Sequence, residues 1–493
     1  MRSVGGAGSR LAAAAAVLAA IAAGATGLVP GSSRAAAAKR PNFLIVLVDD
    51  QANNTFRSRF MPQTFRWIVR PGTRFTSGLA APPLCCPDRA GILTGQYPHN
   101  DGVFSNDPGY PSLRDKRDTL PSWLQRAGYR TGFVGKFLNG SPGVLGNAAA
   151  PGFRSWFGFN AAPGYYHYTV SDNGKPRSFG FHPHAYSTDV FTRQAKQFIR
   201  HGRRRQPFFL WLSYNAPHDT SLTTRFCGHS SPVPRRSGDF RRFAHLHLPR
   251  KPSFNEVHVQ DKPPWVSDLP KLRRRLVQNI ARRYRCTAAT MHTVDVEIGK
   301  LMRSLKRTGE LRRTIVFYLS DNGYFFGEHR LTRGKSYPYE PSLQVPYAVR
   351  VPATYRSRPQ RQRVGEVVSN EDVASTLLDY ARARACSSAS NCRAPDGRSL
   401  RPLLGDGGRW PRDRGVLAEI NSALTDYAAI RTRRFSYVQY RGGQRELYDL
   451  KRDPWQLRNV AGHRAYARQE ASLAHRLAEL RRCSGTEGPR GCE

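Results

Sequence analysis

A chain of 493 residues, 39% hydrophobic and 23% charged, is too apolar to stay disordered and too long for one ordinary core, so a large domain with a smaller one is expected. Its 77 Lys and Arg against 36 Asp and Glu give a net charge of +41, which suits an anionic partner such as nucleic acid, a membrane surface or a polyanionic substrate. The basic residues are scattered, with only short runs such as Arg273-Arg274-Arg275, so no nucleic-acid module is expected, and genomic composition is an equal source of the excess.

The first element is a processing signal. Arg2 and Arg10 precede a nearly continuous apolar stretch over 11–29, and small residues follow at Ala35–Ala38. Residues 1–38 are read as a signal peptide; an uncleaved anchor is the alternative, because the stretch approaches the length of a membrane span. No later segment is long and apolar enough to cross a bilayer. The expectation is a secreted, extracellular or envelope-associated protein without stable membrane insertion.

Phe43 to Val48 is a continuous apolar run ending in Asp49-Asp50, the pattern of a strand buried on both faces of a parallel sheet. The pattern recurs. Thr131 to Gly135 ends at Lys136, Pro207 to Leu212 runs toward His218, and Thr314 to Leu319 ends at Ser320-Asp321-Asn322-Gly323. Helical periodicity covers 187–200 and roughly 289–307. Strands alternating with helices predict an α/β fold with a mostly parallel sheet, whose ligands gather at the C-terminal ends of the strands. Residues 140–180 and the Pro-, Arg- and His-rich 219–270 read as loops that set specificity, the second as a long insertion over the site mouth. A junction at 384–398, strand-like pieces at 427–432 and 435–440, and an Ala/Leu/Arg helix near 465–482 predict a smaller α+β domain over 384–493, after a catalytic domain over 39–383.

Eight cysteines fit an oxidising compartment. Cys386 with Cys392 and Cys483 with Cys492 would close short loops, and Cys227 with Cys286 would be a third pair. Adjacent Cys85 and Cys86 are left over, and neighbouring cysteines bridge each other only under strain. Asp49, Asp50, Asp321 and Asn322 are hard oxygen donors of the kind calcium or magnesium takes. Either cluster alone reads equally as a turn or helix start. Two of them at the ends of two apolar strands favour a metal.

The segment Leu84-Cys85-Cys86-Pro87-Asp88-Arg89-Ala90-Gly91-Ile92-Leu93-Thr94-Gly95 resembles the signature of the type I, formylglycine-dependent sulfatase family, C-x-P-S-R-x-x-x-L-T-G. Asp88 is the one departure, standing where the family has Ser. The resemblance extends to Gly95–Asn100, Gly128–Lys136, Ala216-Pro217-His218, Gly327–Lys335 and Glu446–Leu450. It is closest to the N-acetylglucosamine-6-sulfatase-like and arylsulfatase branch, which also has an aromatic, Leu and Asn after the strand lysine, as in Lys136-Phe137-Leu138-Asn139.

The resemblance implies an alkaline-phosphatase-like sheet sandwiched by helices, and hydrolysis of sulfate esters, in particular of sulfated glycans. It implies that a formylglycine-generating enzyme oxidises Cys85, and that one calcium ion sits on Asp49, Asp50, Asp321, Asn322 and the modified Cys85. Lys136, Lys335, Arg89 and His218 would neutralise the sulfate oxygens, with His218 and Lys335 serving the leaving group. Many family members carry a His two positions after the strand lysine. Leu138 stands there, which leaves His99 and His329 as candidates for the base that expels sulfate. Asp88 would need a partner, Arg89 or another nearby Arg, to avoid repelling the substrate. Two rival readings are a phosphodiester or phosphonate monoester hydrolase of the same superfamily, and a non-catalytic polyanion-binding protein.

Overall fold

A computed structural model describes residues 40–493 apart from 203–205, 223, 225, 236, 386–393, 411–413, 423–424, 486–490 and 493. The leader call and the Cys386–Cys392 pairing lie outside the described residues. The main sheet has ten strands: β1 (Asn42–Val48), β2 (Thr73–Leu79), β3 (Arg130–Gly135), β4 (Ser155–Phe159), β5 (Tyr168–Asp172), β6 (Lys175–Phe179), β7 (Phe208–Ser213), β8 (Thr314–Ser320), β9 (Tyr347–Arg350) and β10 (Arg363–Ser369). Their order is β10-β2-β9-β8-β1-β7-β3-β4-β5-β6. The centre, from β8 through β4, is parallel, while β9, β5 and β6 run antiparallel to their neighbours.

Every residue of β1 is buried, and its side chains alternate between two separate cores. Leu44, Val46 and Val48 face a core shared with two helices, Ser187–Arg200 and Arg274–Arg307. Phe43, Ile45 and Leu47 face a core shared with Cys85–Thr94, Leu120–Arg126 and Asp372–Ala381. Burial on both faces is why β1 reads as an unbroken apolar run. In chain order these helices are α1 (Cys85–Thr94), α2 (Leu120–Arg126), α3 (Ser187–Arg200), α4 (Arg274–Arg307) and α5 (Asp372–Ala381).

Register brings the strand ends together. Val48 pairs with Ser320, Leu47 with Ser213, and Gly135 with Ser213, so β1, β3, β7 and β8 finish at one rim. Gly135 has φ 119°, and a Cβ there would meet the Ser213 carbonyl oxygen at 1.7 Å. Glycine alone permits that approach, which places Lys136 N–H 3.0 Å from the same oxygen.

A second, antiparallel sheet follows: β11 (Val416–Asn421), β12 (Asp426–Arg431), β13 (Phe435–Tyr440) and β14 (Arg445–Asp449). One face carries Leu417, Ile430, Tyr437 and Leu447 against Leu473 and Leu477 of α6 (Ala467–Leu480). The other face packs Ala418, Ile420 and Val438 on Leu79, Leu84 and Leu343 near the rim of the main sheet. Disulfides join Cys227 to Cys286 and Cys483 to Cys492.

Two expectations need correction. Residues 140–180 are not a loop, because β4, β5 and β6 extend the main sheet there. The helix expected over 289–307 begins at Arg274; a basic first half with few apolar residues hides it. The 219–270 segment holds only short helices, Ser237–Arg241 and Pro264–Ser267. It is pinned to α4 by the Cys227–Cys286 bond and to the 324–331 segment by Tyr324–Asp219 and His329–Glu256 hydrogen bonds.

Candidate active site

Helix α1 sets the nucleophile candidate. It starts at Cys85 and stops at Gly95, whose φ of 73° and N–H bond to the Gly91 carbonyl (2.7 Å) make the left-handed cap that glycine favours. All ten of its residues are buried, which explains the small, apolar second half of the segment. Cys85 and Cys86 are both free thiols. Cys85 Sγ lies 3.4 Å from Asp49 Oδ1, 3.9 Å from Asp50 Oδ1 and 3.0 Å from Lys335 Nζ. Cys86 turns into the core, with its N–H donated to Asn106 Oδ1 at 2.8 Å.

Around Cys85, one ligand atom each from Asp49, Asp50, Cys85 and His218 falls within 4.8 Å of the others. Asp50 sits at φ 69°, an uncommon conformation for a non-glycine residue, and its N–H donates to Asp321 Oδ1 at 3.2 Å. Asn322 Nδ2 donates to Asp50 Oδ1 at 2.7 Å, while Asn322 Oδ1 is buried without a hydrogen-bond partner. Lys136 Nζ contacts Asp49, and Lys335 Nζ contacts Asp50. An unpartnered amide oxygen among three carboxylates is a donor set that fits a hard divalent cation. Asp49, Asp50 and Asn322, with Asp321 beside them, would hold it.

Arg89 is wholly buried. Its Nε donates to Asp321 Oδ2 (2.8 Å) and its Nη1 to the Lys136 carbonyl (2.6 Å) and Ser213 Oγ (2.7 Å), with Nη2 3.6 Å from Asp49. One side chain thus ties α1 to the ends of β1, β3, β7 and β8. His218 is about one-third exposed, with Nε2 3.8 Å from Asp50 Oδ2 and Nδ1 2.6 Å from the Asp219 carbonyl. A carbonyl oxygen can only accept, so Nδ1 carries the proton and the neutral ring leaves Nε2 bare.

Charge is balanced inside the cluster. Burial would raise the Asp49 carboxyl, but Lys136, His218, Arg89 and Lys335 overcome it and hold it well below its ordinary value. Asp321 is pushed up to about 6 by burial and by Asp49. Burial lowers Lys136 and Lys335, yet the carboxylates of Asp49 and Asp50 respectively leave both raised. Burial, then Asp49, drives the Cys85 thiol well above its ordinary value, so the unmodified side chain is not a thiolate.

The sequence missed several residues that shape this site. Ser213 and Ser320, at the ends of β7 and β8, orient Arg89 and the Gln51 N–H. Asn106 caps the start of α1, and Asn370 holds Asp88. A single polar residue after an apolar run, or in a loop, carries no signal of its own. The expected Arg partner of Asp88 is also corrected. Arg89 turns toward Asp321, and the buried Asp88 carboxylate accepts from the neutral Asn370 Nδ2 at 3.0 and 2.8 Å. His99, a candidate base, is committed through Nδ1 to Glu419 of β11 (2.6 Å) and through Nε2 to the Cys483 carbonyl (2.9 Å). His329 binds Glu256 through Nδ1 (2.6 Å), and its buried Nε2 has no partner.

Comparison with known proteins bears on the whole chain. The family model for sulfatases matches residues 41–383, and that for the C-terminal part of N-sulphoglucosamine sulphohydrolase matches 327–483. An extracellular sulfatase SULF-1 homolog of Drosophila melanogaster is 32% identical over 394 residues, 77% of this chain and 33% of its own length. This chain spans 46% of a similar Caenorhabditis elegans protein, so it matches half or less of either relative. The N-acetylglucosamine-6-sulfatase of Capra hircus is 29% identical over 503 residues, covering 92% of this chain and 86% of the relative. A solved protein in complex with its substrate D-glucosamine-2-N,6-O-disulfate superimposes with a TM-score of 0.73 at 23% identity, over 90% of this chain and 97% of that one, and so shares its fold. Since the first of these family models spans well over half of the sequence, the chain belongs to the sulfatase family.

Proposed function

We propose that this protein is a secreted hydrolase of sulfate esters carried on glycans, with Cys85 converted to formylglycine and one calcium ion bound at Asp49, Asp50, Asp321 and Asn322. The observation that carries this reading is the placement of Cys85 Sγ between Asp49 Oδ1 (3.4 Å) and Lys335 Nζ (3.0 Å), at the buried start of α1. The names of the relatives support sulfated glycans as the substrate class, and the two disulfides suit an oxidising compartment. No described helix is long and apolar enough to cross a membrane.

The chemistry follows from charge. A sulfate ester is an anion, and an anionic nucleophile reaches its sulfur only when the oxygens are neutralised. Lys136 and Lys335, whose protonated forms the neighbouring carboxylates favour, bring positive charge to the cluster and bind those oxygens. Bound calcium would add Lewis-acid polarisation, and the formylglycine hydrate would supply the attacking hydroxyl that a high-pKa thiol cannot. Arg89 is a positioning residue that fixes Asp321, Lys136 and α1 in one frame. Lys335 already holds a proton next to the Cys85 position. His218 can take up a proton only at Nε2, because the Asp219 carbonyl fixes the one on Nδ1.

The test is mass spectrometry of the peptide around Cys85 from protein secreted by its native host, with turnover of matched sulfate and phosphonate esters. The expected result is an aldehyde at position 85, faster sulfate hydrolysis, no turnover by Cys85→Ala, and a far smaller loss in Cys86→Ala. An unmodified Cys85 together with no hydrolysis would replace this reading with a polyanion-binding protein. Preference for the phosphonate would move the chain to that chemistry.

A further inference from the structure

A cleft of about 340 Å³ opens between the 52–57 loop, Lys251 of the long insertion, the 324–344 segment and the C-terminal 431–456 region. No residue of the candidate active site lines it. Its volume lies within the range of roughly 300–1,000 Å³ typical of small-ligand sites.

Its lining is chemically one-sided. Arg57, Arg74, Lys251 and Arg433 face the cleft, and among the described residues none of the four forms an ion pair. The two lining carboxylates are committed elsewhere: Glu340 holds Arg431 through two contacts (2.6 and 3.1 Å), and Glu328 Oε2 accepts the Phe326 N–H at 2.7 Å. Arg74 is lowered by burial first and then by Arg57 and Arg363. Lys251 is lowered by burial, with Arg57 adding to it although Glu328 and Glu340 act in the opposite sense. Trp455 supplies an aromatic face, with Lys251 Nζ 4.8 Å from its ring. Two lining residues also carry a buried, unpartnered polar atom: Gln456 Nε2, a donor, and Asn54 Oδ1, an acceptor. Buried polar atoms are seldom left without partners.

We propose that this cleft, whose wall includes Ala52 and Tyr324 just beyond Asp50 and Asn322 in the chain, binds an anionic saccharide unit outside the hydrolytic cluster. The cations take its carboxylate or sulfate substituent, Gln456 and Asn54 take hydroxyls, and Trp455 stacks on the ring. An anion alone would use the cations but not the amide pair or the indole. A neutral sugar would leave the cations uncompensated. The cleft would then hold one part of a polymeric chain while another part reaches Cys85. This goes beyond the hydrolytic reading, and it is tested by binding, which needs no turnover.

The measurement is calorimetric titration of full-length Cys85→Ala protein with a heparin-derived tetrasaccharide, in the presence of a saturating sulfated monosaccharide that occupies the cluster. The expected result is residual tetrasaccharide binding, weakened about tenfold or more in Trp455→Ala and in Gln456→Glu. The second variant keeps the size and the acceptor that receives the Glu340 N–H while adding a negative charge. Thermal unfolding of each variant identifies one that fails to fold, and Gln456→Glu then carries the test. The proposal is overturned by residual binding that neither folded variant changes, by equal binding of the fully desulfated, N-acetylated and carboxyl-reduced tetrasaccharide, or by inorganic sulfate competing as well as the tetrasaccharide.

Discussion

At the scale of single residues, Asp88 and Glu371 show how a buried acid can be accommodated away from the substrate. Asp88 sits on α1 in a position where a carboxylate would repel sulfate if it faced the cluster, yet it is turned to Asn370 and fully buried. Burial, then Glu371 and Asp321, push its carboxyl well above the usual range. Glu371 is likewise buried, and neither of its oxygens has a well-formed hydrogen bond, although the Ser369 hydroxyl lies near. A Cβ at Gly91 would come within 2.9 Å of Glu371 Oε1, so the acid lies directly on α1. Burial raises Glu371 to about 8. Its stabilising, protonated state is therefore complete below the ordinary carboxylate value of about 4.3 and is lost as pH rises to about 8. Glu371→Gln removes this titration. Chemical denaturation should show the variant gaining on wild type as pH rises from about 5 to about 8, by on the order of a few kcal/mol. A constant difference across that range would mean that Glu371 is ionised throughout. With Cys85 modified as proposed, Asp88→Ser should change the rate per aldehyde-bearing molecule, counted by mass spectrometry, less than tenfold, about 1.4 kcal/mol in barrier terms, because the Asp88 carboxylate is held by Asn370 and not by the Cys85 cluster.

At the scale of elements, one histidine joins the residues after α1 to the C-terminal sheet by hydrogen bonds, beside the packing of Tyr97 on that sheet. His99 donates its backbone N–H and turns its ring Nδ1 to Glu419 of β11. Burial lowers the ring's proton affinity, but the Glu419 hydrogen bond and charge outweigh it and leave it raised. Stability from this pair is complete below about pH 6.5 and is lost as pH rises through the raised value. His99→Gln should cost about 1–2 kcal/mol near pH 6 and less near pH 9, read by denaturant unfolding at both values. Equal cost at both would assign the contact to packing alone.

How much of this architecture the sequence discloses depends on burial. Strands β1, β3, β7 and β8 are covered on both faces, so each is a legible apolar run with its functional residue just beyond. Strand β6 is exposed along four of its five residues and reads as loop. Strand β14 could be seen only through its resemblance to a family tail motif. The physical reason for that motif is visible in the fold: buried Glu446 accepts the hydroxyls of Tyr339, Tyr440 and Tyr448 and ties the second sheet to the segment after Lys335. The cluster's acids and Lys136 were legible because they follow such runs, whereas Lys335 was reached only through the resemblance. Ser213, Asn106 and Asn370 were not, since their partners come from distant parts of the chain.

At the scale of the whole molecule, a net charge of +41 attracts polyanions over distances that salt screens, with a Debye length of about 8 Å at physiological ionic strength. On the proposed function, hydrolysis of a polymeric sulfated glycan should therefore slow as ionic strength rises, chiefly through a higher KM, while a small aryl sulfate should show much less of this effect. Equal salt dependence for the two substrates would mark the charge as compositional background.

The ten-stranded sheet ends at β10 on one side and at β6, Lys175-Pro176-Arg177-Ser178-Phe179, on the other, and among the described residues no further strand pairs with β6. An unpaired strand is a template on which another chain can add by backbone hydrogen bonding. Proline contributes no N–H to such pairing, and two exposed cations repel an incoming copy of an already basic protein. These features make β6 a poor template for end-to-end assembly. Replacing Pro176 and Arg177 together by Val should leave the fold intact but produce concentration-dependent oligomers in sedimentation velocity. A double variant that stays monomeric would show that the border is protected by its shortness alone.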